Sequence, residues 1–262
     1  MSTIAVSESR PASAQTIGQN QRMVSEIEAQ YIETTIRWGA YTTLGGAISY
    51  IIGAALWIAS GVDIDQALAS DEMSSYLVAA GSVGPLIIAN LTFWVLGALL
   101  LSASGTALVS LCLRRRAIAQ LALPCYRTGI SLAIVAYLAW LALQVQVVPD
   151  NSAGAVLLAE TIGWFASRAD WLATVLMIGV GPVLISLAGR GDWVPLWLAR
   201  LSIATAVTAL LTTIAMFTDA LTSYGFLIIP VGLAWLIGAG IVLLRRLGSL
   251  SREPKLSPLP GD

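Results

Sequence analysis

The chain has 262 residues, of which 57% are hydrophobic and 11% are charged, and its formal net charge is −1. Because soluble domains have about 25% charged residues, a soluble chain of this composition would expose large apolar surfaces. The composition therefore predicts an integral membrane protein. The chain contains no histidine, which excludes His-ligated haem, His-based zinc sites and the Ser-His-Asp triad. The net charge provides no surplus of basic residues for binding nucleic acid, so we do not expect nucleic acid as a partner.

The N-terminal segment is polar, and residues 1–22 have few large apolar side chains. We predict that they form a disordered cytoplasmic tail. Val24, Ile27 and Tyr31 then follow one another at helical spacing. This pattern predicts an amphipathic helix on the cytoplasmic surface that continues into the first membrane span.

Six apolar stretches are long enough to cross a bilayer, for which about 20 residues are needed. We predict an all-α bundle of six transmembrane helices within residues 23–246, followed by a disordered cytoplasmic tail at 247–262. A loop at 61–77 carries four carboxylates and no Lys or Arg. The predicted spans are 37–60, 85–113, 129–148, 171–189, 195–218 and 224–245.

The basic residues are distributed unequally between the two sides of this bundle. With the N-terminus inside, 13 of the 14 Lys and Arg residues fall on the cytoplasmic side, and Arg168 alone falls outside. Acidic residues collect in the outer segments. The positive-inside rule therefore predicts a multi-pass protein of the inner (plasma) membrane with both termini in the cytoplasm.

Residues 153–167 are apolar but contain Glu160. A seventh span here would move the later arginines to the outer side. Fusing the segment with span four would give a helix of about 36 residues and about 54 Å, longer than the hydrocarbon core. We therefore predict a separate helix that lies on, or dips into, the outer surface. Asp170 would then cap the start of span four.

Small residues recur at four-residue intervals on the first two spans, and such faces let helices approach closely. Two prolines lie inside spans four and six, where each should kink its helix. The predicted packing faces are Gly45, Ser49 and Gly53 on span one and Ala98, Ser102 and Thr106 on span two. The predicted kinks are at Pro182 and Pro230.

Polar residues within or beside the spans define two hypotheses for a site. Ionisable residues at membrane depth often mark function, and an outer-face polar pocket could form from four residues. The alternative, which the pattern favours, is a solvated acidic face with a helix cap. The four residues are Glu160, Asp170, Asp219 and Tyr224.

Hydroxyl and amide side chains occur inside the spans. They could line a polar pathway, but such groups more often bond to backbone carbonyls or join helices, and we favour that interpretation. They are Ser202, Thr205, Thr208 and Thr212 in span five, Asn90 in span two and Gln144 in span three.

The two cysteines, Cys112 and Cys125, form no CxxC pair. Their predicted cytoplasmic position favours free thiols. The sequence contains no phosphate-binding glycine loop, nucleophile elbow or cluster with metal-ligand spacing. We therefore expect no catalytic residue, no metal and no cofactor.

The C-terminal half resembles a bacterial six-span membrane family known as domain of unknown function 4386. The resemblance covers about residues 160–246 and rests on three segments. These are the Asp170-Trp171 pair, the stretch WVPLWLARLSIA with Pro195, Trp197 and Leu198, and the span LIIPVGLAWLIGAGIVLLRR. It implies a six-span bundle and no particular activity.

Three functions are compatible with these features. The first, which we favour at this stage, is a structural or accessory membrane component that assembles through the small-residue faces. The second is a binder or transporter of a small lipophilic molecule near the kinks. The third is a membrane enzyme that acts on a lipid or isoprenoid through outer carboxylates. The expected partners are membrane lipids and other membrane subunits or further copies of this chain.

Overall fold

The computed structural model describes residues 12–150, 152–218 and 222–250. Within these ranges the chain is helical and contains no β-strand, apart from an isolated bridge between Arg190 and Val194. Six of the described helices are long and apolar enough to cross a membrane. The predicted all-α, six-span membrane fold is confirmed.

The helices follow one another with short connections. Two of the long helices contain a π-helical segment, at Leu143–Val147 and at Val175–Val180. The helices are α1 Ala12–Ser60, α2 Ile64–Ser70, α3 Met73–Ser82, α4 Gly84–Ser110, α5 Arg116–Ala142, α6 Ala153–Thr174, α7 Gly181–Gly189, α8 Leu196–Ala215, α9 Thr222–Gly225 and α10 Ile228–Leu250.

The N-terminal segment is more helical than its composition predicts. Helix α1 starts at Ala12, so the later part of the predicted disordered tail belongs to it. The predicted amphipathic helix is continuous with the first span, and its apolar side chains Val24, Ile27 and Tyr31 are exposed. Residues 1–11 and 251–262, where we predicted tails, lie outside the described residues.

The predicted loop at 61–77 is wrong, because this stretch contains two short helices. The backbone turns at Gly61, whose φ is 68°. Oδ1 of Asp63 then accepts a hydrogen bond from the backbone N–H of Asp65 at 2.9 Å and starts α2. We call α2 and α3 (Ile64–Ser82) the cap. The cap buries Leu77 against the ends of α5 and α6, where it shares one apolar cluster with Leu143.

The separate outer-surface helix predicted at 153–167 is also wrong. Residues 153–174 form one helix, and Asp170 lies inside it rather than at a cap. The N-cap is Ser152, whose Oγ accepts from the backbone N–H of Ala155 at 3.2 Å. The full length of α6 and α7 need not fit within the hydrocarbon core, because the first turns of α6 pack against the cap and the end of α5.

The prolines act differently from the predicted kinks. Pro182 follows the π-helical segment Val175–Val180, which joins α6 to α7 without a break. Pro230 lies in the first turn of α10, where its missing N–H needs no partner. Pro124 lies inside α5, so the third span starts at Arg116 instead of residue 129.

Helices α1 and α4 form a close antiparallel pair. Thr43 and Ser104 join their hydroxyl groups at one level, and Nδ2 of Asn90 donates to the carbonyl oxygen of Gly53 at 2.9 Å at another. A Cβ atom on Gly53 would lie 2.3 Å from the Trp94 ring. The small-residue face of α1 therefore packs against α4 within the chain. On α4, Ala98 is buried, Ser102 is half-buried and Thr106 is exposed.

Candidate functional site

A cavity of about 450 Å³ lies under the cap, between α1, α4, α5, α6 and α10. Its wall is mainly aliphatic and aromatic. Three carboxyl groups contribute to it, and the wall contains no Lys or Arg. The aromatic side chains are Tyr50, Trp57, Tyr76, Trp94, Tyr137, Trp140, Trp171 and Phe226, and the carboxyl groups belong to Asp63, Asp65 and Asp170.

One aromatic group lies deep in the bundle and joins α4 to α5. The ring centroids of Trp94 and Tyr137 are 5.5 Å apart, and those of Tyr137 and Trp140 are 6.1 Å apart. Each ring is tilted against its neighbour. Gly53 permits this arrangement, because a side chain there would occupy the place of the Trp94 ring.

A second aromatic group lies closer to the cap and joins α1, α6 and the start of α10. Phe226 stacks on Trp57 with ring centroids 6.0 Å apart, and it meets the edge of Trp171 at 5.0 Å. Gly225 makes room for Trp171, since a Cβ atom at this position would lie 2.3 Å from that ring. The two aromatic groups thus line two levels of one cavity.

Asp65 fixes the cap to α6. It lies in the first turn of α2, where its Oδ1 accepts a hydrogen bond from Oγ of Ser167 and its Oδ2 accepts one from Nε1 of Trp171 at 3.0 Å. Both donors are neutral, so they satisfy the carboxylate but leave its charge uncompensated. Burial, together with the neighbouring Asp65 charge, raises the pKa of Asp63 above its ordinary value.

Among the described carboxyl groups of the wall, Asp170 is the one with a buried oxygen that has no hydrogen-bond partner. Its Oδ1 is buried and accepts no hydrogen bond from any described residue. Tyr137 lies close enough to interact with it, and the Tyr137 hydroxyl also meets that of Tyr50 at 3.3 Å. Nε1 of Trp140, another residue of the cavity wall, is likewise buried without a described acceptor. Unpaired polar atoms in an apolar site are costly, and they often mark a place that a ligand completes.

The π-helical segment after α6 shapes the wall opposite α1. Met177 and Ile178 lie in it and line the cavity. Because Pro182 has no N–H, the usual bond to the carbonyl group of residue 178 is missing, and the helix takes a wider turn here. Such single π-helical turns occur frequently at functional sites.

Of the three residues of the predicted outer-face pocket that the structure describes, one lines this cavity. That residue is Asp170. Glu160 is half-buried, lies ten residues earlier on α6 and is not part of the wall. Tyr224 is 57% exposed and also outside the wall. Asp219 lies outside the described residues.

The carboxyl groups of the cap and the aromatic wall were not among the residues predicted from the sequence. The motif Val62-Asp63-Ile64-Asp65 carried a usable signal, since an Asp before a short apolar run is a typical N-cap. The aromatic residues carried none, because they come from five different helices and from the turn before α10. Among the described residues, no group of carboxylates and thiols has the arrangement of a metal site.

The hydroxyl groups of α8 serve the backbone, as the favoured interpretation predicted. Thr208 bonds to the carbonyl oxygen of Ala204 at 3.0 Å, and Thr212 bonds to those of Thr208 and Gly225. Gln144 similarly joins helices through a bond from Nε2 to the carbonyl oxygen of Ala80 at 3.1 Å. Cys112 and Cys125 are free thiols, as predicted.

Comparison of the chain with protein-family models, curated proteins and solved structures gave no match. The resemblance to domain of unknown function 4386 therefore stays a prediction.

Proposed function

We propose that this membrane protein binds a small lipophilic molecule in the cavity under the cap. The cavity itself carries the proposal: its volume of about 450 Å³ lies within the range of about 300–1,000 Å³ that is typical of small-molecule sites. An apolar, aromatic wall with a few polar groups is also typical of such sites. The second of our three hypotheses thus becomes the favoured one.

The exposure of the cavity wall supports access from the side of the bundle. Ile58 is 72% exposed, and Pro230 is the other exposed residue of the wall. They lie at the end of α1 and the start of α10, beside the stacked pair of Trp57 and Phe226. We infer that the cavity opens between these two helices, towards the side of the bundle that the hydrocarbon layer would cover. A lipophilic molecule dissolved in the hydrocarbon layer would enter there.

The other two hypotheses have less support from the geometry. The small-residue face of α1 packs within the chain, so it offers no free surface for assembly with another subunit. The hypothesis of an enzyme that acts through outer carboxylates needs at least two carboxyl groups that face one cavity and are free to exchange protons. Asp65 is held by two donors and Asp63 caps α2, which leaves Asp170 alone.

A cavity-filling variant tests the binding proposal. Ala54 lines the cavity, whereas its neighbour Ala55 is exposed and is not part of the wall. The probe is N-phenyl-1-naphthylamine, an uncharged lipophilic fluorophore, and energy transfer from the tryptophans to it reports binding. We expect Ala54→Phe to abolish saturable transfer and Ala55→Phe to preserve it. Equal transfer in both variants, or none in the wild type, would contradict the proposal.

We further propose a plasma-membrane location with the arginine-rich end in the cytoplasm, on the positive-inside rule. The arginine-rich end comprises residues 111–116, 190–195 and the end of α10. Membrane lipids are then the immediate partners. Fusions to a reporter enzyme that is active only outside the cytoplasm test this orientation. The fusion at Asn151 should be active, and the fusion at Arg190 should be inactive. The opposite result at either position would contradict it.

A further inference from the structure

We propose that the ligand of the cavity is a lipophilic cation, such as a hydrophobic tertiary amine or quaternary ammonium compound. This inference rests on the proposed function, which requires only that some lipophilic molecule binds there. It adds a charge to the ligand, and two independent features of the wall support it.

The first feature is a set of carboxyl groups that have no cationic partner in the wall. Asp65 and Asp170 both line the cavity, and the wall contains no Lys or Arg that could pair with them. The described ion pairs of the chain lie elsewhere, at Arg37 with Glu33 and at Arg114 with Asp192. A carboxylate in an apolar interior is costly unless an opposite charge or sufficient donors accompany it. A cationic ligand would supply what the wall lacks.

Asp170 is the carboxylate that such a ligand would meet. Asp65 already accepts hydrogen bonds from Ser167 and Trp171, whereas Oδ1 of Asp170 accepts none from the described residues. Asp170 interacts with Tyr137 of the first aromatic group, and it lines the cavity together with Trp171 of the second. The carboxyl group with an unpartnered oxygen and the aromatic rings therefore line the same cavity.

The second feature is the number of aromatic side chains that line the cavity. A cation within about 6 Å of a ring centroid is attracted by the ring, most strongly by tryptophan and more strongly where water is excluded. Trp57, Trp94, Trp140 and Trp171 line the cavity together with Tyr137 and Phe226. An ammonium group bearing alkyl substituents matches such a wall, because its charge is spread over an apolar surface.

A pair of probes of equal shape separates a cationic ligand from a neutral one. The first is 4-phenylbutyl-trimethylammonium, and the second carries a tert-butyl group in place of the trimethylammonium group. Calorimetric titration of the purified full chain in mild detergent gives the affinity for each. We expect the cation to bind at least about tenfold more tightly than its neutral analogue. This comparison uses the wild-type protein and does not depend on the folding of a variant.

The variant Asp170→Asn then identifies the carboxylate responsible, with Asp71→Asn as the matched control. Asp71 is exposed in the turn between α2 and α3 at φ 62°, a backbone conformation that asparagine accepts. We expect Asp170→Asn to weaken binding of the cation by about tenfold or more without changing that of the neutral probe. Asp71→Asn should change neither.

Three outcomes would overturn this inference, and they bear differently on the proposed function. Equal affinity of the wild type for both probes excludes a cation but leaves the lipophilic site standing. Undiminished binding of the cation to Asp170→Asn would show that Asp170 is not the carboxylate that the cation contacts. Absence of binding for both probes contradicts the inference and the proposed function together.

Discussion

The two ends of the bundle treat their charged residues in different ways. At the arginine-rich end, Asp192 lies between two arginines: its Oδ1 is 3.3 Å from Nε of Arg114, and its carbonyl oxygen accepts from Arg246 at 3.1 Å. Arg115 bonds to the carbonyl oxygen of Leu187 at 3.1 Å. Charges of both signs thus hold the α7–α8 loop against the start of α5 and the end of α10.

Under the cap, the carboxylates have only neutral partners. Ser167 and Trp171 satisfy Asp65, the backbone of α2 satisfies Asp63, and Asp170 keeps a buried oxygen without a described donor. The chain therefore pairs the carboxylate of Asp192 with an arginine at one end and provides no cation for the carboxyl groups at the other. A ligand that brings a positive charge would remove this difference, and each prediction below changes one side of the comparison.

The largest effect is expected from Gly53→Ala, which alters the wall of the cavity. The added Cβ atom would lie 2.3 Å from the Trp94 ring, so this ring must move and disturb Tyr137 and Trp140. Overpacking of this kind costs about 1–3 kcal/mol. We expect a lower unfolding temperature in detergent and a loss of probe binding.

Gly154→Ala is the matched control for this substitution. Gly154 is exposed near the start of α6, and its nearest neighbour for a new Cβ atom is Oγ of Ser152 at 3.7 Å. Because alanine favours helix over glycine by about 1 kcal/mol, this variant should be at least as stable as the wild type. Equal stability of Gly53→Ala and Gly154→Ala would show that the Trp94 ring is not confined by α1.

A smaller effect is expected from Asp192→Ala at the arginine-rich end. The substitution leaves the backbone N–H of Arg114 without its acceptor and removes the ion pair. Because this hydrogen bond is exposed to water, its loss costs about 0.5–1.5 kcal/mol. We expect a lower unfolding temperature with unchanged probe binding, since this loop lies at the opposite end from the cavity. Glu72→Ala, at an exposed residue without a capping bond, should leave both measurements unchanged.

A loss of probe binding in Asp192→Ala would contradict the separation of the two ends. The thiol of Cys112 gives an independent measure of this loop. Burial raises its pKa to about 11, so it should resist maleimide at pH 7.5 in the wild type. Faster reaction of Cys112 in Asp192→Ala, measured in a Cys125→Ser background, would report local opening of the arginine-rich end.

The fold was predictable to the extent that it depends on hydropathy and length. Long apolar stretches identified all six spans, because lipid requires a continuous apolar helix. The same criterion failed for the cap and for residues 153–167. Helices of the cap are short and partly polar, and their stability comes from packing against α5 and α6 rather than from their own sequence.

The site was predictable only through Asp170. This residue stands out because an acidic residue at membrane depth is rare. Its partners Tyr137 and Tyr50 lie on other helices, 33 and 120 positions away in the sequence. Glu160 is also acidic and belongs to the same predicted pocket, but it lies ten residues before Asp170 on α6. Only three-dimensional packing decides which of two such carboxylates meets a cavity.

The smallest expected effect concerns the cap and its dependence on pH. Burial, with a contribution from Asp65, raises the pKa of Asp63 above its ordinary value of 3.8. The folded state therefore binds the proton of Asp63 more tightly than the unfolded state does. Stability from this group is present at acidic pH and is lost as the pH rises through the interval above 3.8.

Asp63→Asn removes this loss and still caps α2. The variant should thus unfold at a slightly higher temperature than the wild type at pH 7, with a difference that shrinks towards pH 4. A difference that is independent of pH, or equal to that of Asp71→Asn, would show that the charge of Asp63 does not strain the cap.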